Sequence, residues 1–167
     1  MSVELPIELS AKQAHEAAID DVNRWRGHCV ECFARLERAM GDALELMAFT
    51  LPSMKRVPFT FGDKVKELRK ALVSVGPATD RLLKSLQGAD GLLDQRNRIV
   101  HASGKVWIDA SGNWAWTYRF KPSGKTEEEV GLYEKKAALQ IEIELAKTSQ
   151  SLCSQLRTVT QRLAVTE

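Results

Sequence analysis

The chain has 167 residues, 44% hydrophobic and 28% charged, which suits one domain (1–167) that buries its own core without metal or disulfide staples. No run of about 18 apolar residues is present to span a bilayer, and the acidic segment Met1 to Ser10, broken by Pro6, lacks the basic lead and apolar centre of a secretory signal. A cytoplasmic protein with no membrane partner is therefore expected. The net charge of +2 gives no reason by itself to expect a polyanionic partner, but between Arg96 and Lys125 six basic residues stand against Asp109 alone.

From Trp25, the positions Cys29, Cys32, Phe33, Leu36, Met40, Ala43, Leu44, Met47 and Leu51 recur at three- and four-residue steps and predict a long first helix. Ser10 is its candidate cap, and Arg26-Gly27 is a candidate break, because glycine is costly inside a helix. Pro52 and Pro58 bracket an expected loop from Leu51 to Gly62. Asp63 is then expected to cap a second helix through Val75, ended by Gly76 and Pro77. A third helix follows from Pro77 to Asp80 onward, with the stripe Leu82, Leu86, Ala89, Leu93 and Val100. Gly88 and Gly91 mark a kink in it, and Asp90 is a candidate to recap its second half.

After Gly104 the period switches from helical to alternating. Val106 and Ile108 precede the turn Ala110-Ser111-Gly112-Asn113, and Trp114, Trp116, Tyr118 and Phe120 follow it, which predicts a β-hairpin over about 105–121. Pro122 to Gly131 is polar and acidic, and a loop is expected there, with room for a short extended piece. The last helix carries Ala138, Ile141, Leu145, Thr148, Leu152, Leu156, Val159 and Leu163, and should lie alongside the first. The expected fold class is all-α, a bundle of about four to five helices with a hairpin inserted between the third and last of them.

The chemistry is concentrated in Arg96-Asn97-Arg98-Ile99-Val100-His101, where Arg96 and Asn97 fall at positions an apolar stripe should continue. Asn97 and His101 are four apart, on one helix face, so the amide is expected to orient the imidazole. Arg96 and His101 are five apart, roughly 140° around an ideal helix, and do not point the same way from a straight one. Either the arginine curls back, or the helix ends before His101, or a second copy of the chain completes the site across a two-fold axis.

These residues resemble the hallmark of the HEPN superfamily, an arginine followed by a polar residue and then a histidine a few positions downstream near a helix end. The resemblance extends to two long helices flanking the motif helix. It implies a helical bundle, commonly a homodimer, that acts as a metal-independent RNA endonuclease in toxin or defence systems, with no metal and no cofactor. An antitoxin or other protein is the implied partner besides RNA. His101 would serve as acid or base and Arg96 would stabilise the phosphate, leaving 2′,3′-cyclic phosphate ends. The alternative is a bundle of the same type that has lost catalysis and binds nucleotides or a protein. The acids near the motif, Asp94 and Asp109, are too few for a two-metal centre.

Arg98, Lys105, Arg119 and Lys121 are the expected RNA-binding cations around the hairpin. Its aromatic face should pack on the bundle, while an exposed tryptophan would suit base stacking. His28, Cys29 and Cys32 lack the fourth ligand of a structural zinc site, so the two cysteines are expected in the core. Lys64, Lys66, Arg69 and Lys70 are expected on a solvated face of the second helix.

Overall fold

A computed structural model describes residues 10–50 and 57–165. The segment Met1 to Leu9, most of the loop expected from Leu51, and the side chain of Asp90 lie outside what it describes. Helix α1 spans Ala11–Thr50 without interruption at Gly27. Ser10 caps it reciprocally: its Oγ accepts from the Gln13 backbone N–H at 3.3 Å, and its own N–H donates to Gln13 Oε1 at 3.0 Å. Helix α2 spans Phe61–Val75, and its cap is Thr60 rather than the expected Asp63. Thr60 Oγ1 accepts from the Asp63 N–H at 3.2 Å and donates to its carboxylate at 2.7 Å, so Asp63 sits in the first turn, where its charge complements the helix dipole.

The third helical stretch is three pieces: a 3-10 turn at Pro77–Thr79, α3 at Asp80–Gln87 and α4 at Ala89–His101, with the break at Gly88. Strands β1 (Ser103–Ile108), β2 (Trp114–Phe120) and β3 (Glu129–Glu134) then form an antiparallel sheet in the order β1-β2-β3, before α5 at Lys135–Val165. The all-α expectation is thus corrected to a mostly helical fold with a small three-stranded sheet between α4 and α5. Residues Glu129 to Gly131, at the end of the expected loop, are the short extended piece allowed there, and they open a third strand that runs on to Glu134.

Cross-helix pairs rise together in number along the two long helices. The Trp25 indole donates to the Ala138 carbonyl at 2.8 Å, and the Ser149 hydroxyl to the Cys32 carbonyl at 3.0 Å. Helices α1 and α5 therefore run parallel, and the sheet lies at their N-terminal ends. One apolar cluster, Leu36 to Met47 with Phe61, Leu68, Leu82, Leu86 and Leu156, joins the helices at the far end. The other gathers Trp25, Cys29, Phe33, Ile99, Trp114, Trp116, Tyr133 and Leu145 under the sheet. Along α5, Ser149 is buried where Thr148 was expected, and Thr148 faces solvent.

The sheet seats on Trp25. That ring lies 5.9 Å from Trp114, 6.1 Å from Trp116 and 5.2 Å from Tyr133 between centroids, distances at which aromatic pairs attract. The hairpin's aromatic face packs on the bundle, as expected. A Cβ at Gly104 would collide with the Thr117 carbonyl and the Trp116 indole, and one at Gly131 with the Tyr118 ring, so both strands need glycine there. Among the described residues, no helix is long and apolar enough to cross a membrane.

Candidate functional site

Helix α4 is anchored by Ile99, fully buried, and by Ala102 just beyond its end. The expected stripe through Leu93 and Val100 is displaced by one residue, since both of those are only half-buried. The displacement leaves Arg96 and Asn97 half-buried at the edge of the packed face and His101 exposed on the final turn.

The three motif residues meet within one chain. The Arg96 Nη1 donates to Asn97 Oδ1 at 3.2 Å and lies 3.3 Å from His101 Nε2. A guanidinium can only donate, so this contact is a hydrogen bond in the tautomer that leaves the lone pair on Nε2. Of the two single-chain geometries the sequence left open, the long arginine curling back is the one adopted, and α4 continues through His101. The Asn97 amide oxygen engages Arg96 rather than the imidazole, so Asn97 steadies the arginine instead of choosing the tautomer.

The helix end that carries His101 is held by a residue the sequence did not single out. Arg26, in the middle of α1, donates through Nε to the Ile99 carbonyl at 3.0 Å and through Nη2 to the Ala102 carbonyl at 3.3 Å. The last carbonyls of a helix have no partner within it and carry negative partial charge, so a guanidinium there is doubly favoured. Its carbon lies 4.6 Å from the centre of the Trp116 ring, which links the motif helix to the sheet. Burial pushes the Arg26 guanidinium below its ordinary value. No local sequence signal marks this role, because it depends on α4 ending beside α1.

The expected RNA-binding cations divide into two groups. Arg98 Nε is bound to Glu129 Oε2 at 3.0 Å, and this hydrogen bond raises the guanidinium above its ordinary value despite some desolvation. It ties α4 to β3. Lys105, Arg119 and Lys121 are exposed around the sheet, with Arg119 3.9 Å from Glu128. Lys125 lies 3.7 Å from Glu129. Much of the basic excess along 96–125 is thus met in space by Glu128 and Glu129, which follow it in sequence. Asp109, an acid near the motif in sequence, sits at the opposite end of β1 from His101 and organises the turn: its Oδ1 accepts from the Ser111 and Asn113 N–H groups at 2.8 Å each. Those backbone and side-chain bonds, Asn113 foremost, hold its carboxyl below the usual range.

Cys29 and Cys32 are buried in the core as expected, while His28 Nδ1 turns to Glu142 at 2.8 Å. Desolvation, with lesser repulsion from Glu142 and Cys32, pushes the Cys29 thiol up to about 12. Among the described residues, no three His, Cys, Asp or Glu side chains gather in a way that could hold a metal ion. On α2, Lys66 and Lys70 are solvated as expected. Lys64, by contrast, is largely buried against Glu37 at 3.3 Å, and Arg69 donates to the Leu86 carbonyl. Compared with protein-family models, curated proteins and solved structures, the chain gives no match.

Proposed function

We propose that the chain is a metal-independent RNA endonuclease of the HEPN type, working through Arg96, Asn97 and His101. The observation that carries this reading is the single guanidinium nitrogen placed between Asn97 Oδ1 and His101 Nε2 at the exposed end of α4. A neutral imidazole with a free lone pair at Nε2, once Arg96 turns to a phosphate, is a base of the right kind for a ribose 2′-hydroxyl. His101 takes the 2′-hydroxyl proton as the 2′-oxygen attacks the adjacent phosphorus, the P–O5′ bond breaks with the 5′-oxygen taking a proton from water, and Arg96 offsets the charge growing on the phosphate oxygens. The products are a 2′,3′-cyclic phosphate and a 5′-hydroxyl, and DNA, lacking the nucleophile, is not cut. A homodimer with two copies of α4 facing one cleft belongs to the same proposal. It predicts a dimer in sedimentation velocity.

His101 is exposed, so His101→Ala should leave stability within about 0.5 kcal/mol of the wild type while slowing cleavage of single-stranded RNA by at least ~100-fold. The rate is read from labelled RNA on denaturing gels, with the ends identified by phosphatase sensitivity. A His101→Ala protein that cuts at the wild-type rate would remove the mechanism. A wild-type chain that binds nucleotides and cuts nothing would favour the non-catalytic module.

A further inference from the structure

The outer face of the sheet, turned away from the bundle, holds an open groove of about 600 Å³ that runs along β1 and β2 and reaches Val130 on β3. Its floor carries Lys105, Trp107, Thr117 and Arg119, and no carboxylate lines it. Trp107 is 55% exposed, whereas Trp25, Trp114 and Trp116 are each at most 3% exposed. Its partner across the strands is Ala115, too small to cover an indole. The ring is nonetheless held, because its N–H donates to Thr117 Oγ1 at 3.0 Å, and that hydroxyl in turn donates to the Lys105 carbonyl at 3.3 Å. An indole fixed at one edge and uncovered elsewhere has already lost the rotamer freedom that stacking would cost it.

We propose that this groove is a platform for single-stranded RNA, with a base stacked on Trp107 and neighbouring phosphates held by Lys105 and Arg119. Cations flanking one open aromatic ring are the arrangement by which single strands are bound without sequence readout. The Arg119 pairing with Glu128 is long and solvent-exposed, hence weak, and leaves the guanidinium able to exchange to a phosphate. Glu134 stands on β3 beyond Ala115, outside the groove. Continuity with the motif favours a nucleic acid over a protein occupant: Ala102 alone separates His101 from β1. From Ser103 to Trp107 is four residues of strand, about 13 Å, so the end of α4 that carries His101 is only a few nucleotides' length from the stacking ring. The choice of RNA over DNA rests on the ribonuclease reading, while the stacking itself does not.

The test is a fluorescence-anisotropy titration of an end-labelled single-stranded 2′-O-methyl RNA oligonucleotide, which cannot be cleaved, with the full chain and its variants, alongside tryptophan emission of the wild type. Because the other three tryptophans are buried, quenching reports on Trp107. Wild-type protein should be quenched on binding, Trp107→Phe should bind with similar affinity, and Trp107→Leu should bind about tenfold more weakly. Lys105→Ala combined with Arg119→Ala should flatten the dependence of log affinity on log salt by about 0.7 for each phosphate that is no longer neutralised. Equal affinity of wild type and Trp107→Leu overturns the platform. So does a concentration-dependent self-association that Trp107→Leu abolishes, since the face would then be covered by a second copy. Failure of cleavage leaves this binding result untouched, and loss of this binding leaves the His101→Ala comparison readable.

Discussion

Arg26 shows how one side chain can determine the geometry of residues more than seventy positions away. Its two hydrogen bonds satisfy carbonyls at the end of α4, and its stacking on Trp116 gives that end a fixed distance from the sheet. Arg26→Ala removes a charged donor from two partly buried acceptors and should lower the unfolding free energy by about 2 kcal/mol. Urea titration followed by circular dichroism measures this, and an unchanged midpoint would mean that the carbonyls find water at no cost. Arg26→Lys should recover only part of the loss, because an ammonium cannot present two parallel donors in the same plane. The nearness of Asn97 to His101 was legible, since a spacing of four puts two residues on one helix face, whereas five residues set Arg96 about 140° away from His101. Which of them bonds to which was not legible, because it depends on how far a flexible arginine folds back over the final turn.

Two glycines in regular elements call for opposite outcomes from the same substitution. Gly27 is exposed in the middle of α1 with nothing within 4 Å of where a Cβ would stand, so Gly27→Ala should stabilise the protein by about 0.5–1 kcal/mol. Gly104 has no such room, and Gly104→Ala should destabilise by about 1–3 kcal/mol or more through displacement of β1 from β2. Thermal melts of the two variants beside the wild type give the comparison, and shifts of the same sign would contradict the difference in room at the two positions. The same physics explains an element that the sequence hid. Strand β3 contains Gly131 and begins at the last of three glutamates, features that disfavour a strand locally. It forms because Gly131 makes room for the Tyr118 ring, Tyr133 lies nearly flat against Trp116, with 13° between their planes, and Glu129 pairs with Arg98. The continuity of α1 through Gly27 has a related cause: Val22, Trp25, Cys29 and Phe33, on either side of the glycine, are buried in one cluster.

Over the whole molecule, the packing of α1 against α5 and of the sheet against α1 buries two groups that ionise less readily in the fold. Desolvation pushes the Cys29 thiol from 9.0 to about 12 and is the main cause of the rise of the Tyr133 phenol from 10.0 to about 12. In each case the unfolded chain releases its proton first as pH rises. The stabilisation is therefore complete below pH 9.0 and is lost progressively between there and about 12. Urea midpoints measured across this window should fall with increasing pH. In Cys29→Ala the fall assigned to these groups should begin nearer 10.0, where the phenol starts to ionise. A midpoint that stays level across the whole of that window would show that neither group is desolvated as described. The distribution of charge is also decided at this scale. The basic run of 96–125 meets Glu128 and Glu129 once β3 is laid down, and the cations left exposed are those around the outer sheet face.

By itself the sequence determined the elements whose signal is local and repeated: the long first and last helices, the Gly76 and Pro77 stop, the alternating hairpin, and the placing of Asn97 and His101 on one face near a helix end. Each follows from periodicity or from the conformational limits of single residues, which act over one or two turns. Only the tertiary structure decided that α1 and α5 run parallel, that Arg26 caps α4, that Arg98 is tied to Glu129, and that Trp107 faces outward over Ala115. Those depend on contacts between residues far apart in the chain. A side chain's partner across such a distance is set by the packing of whole elements, which no local pattern encodes.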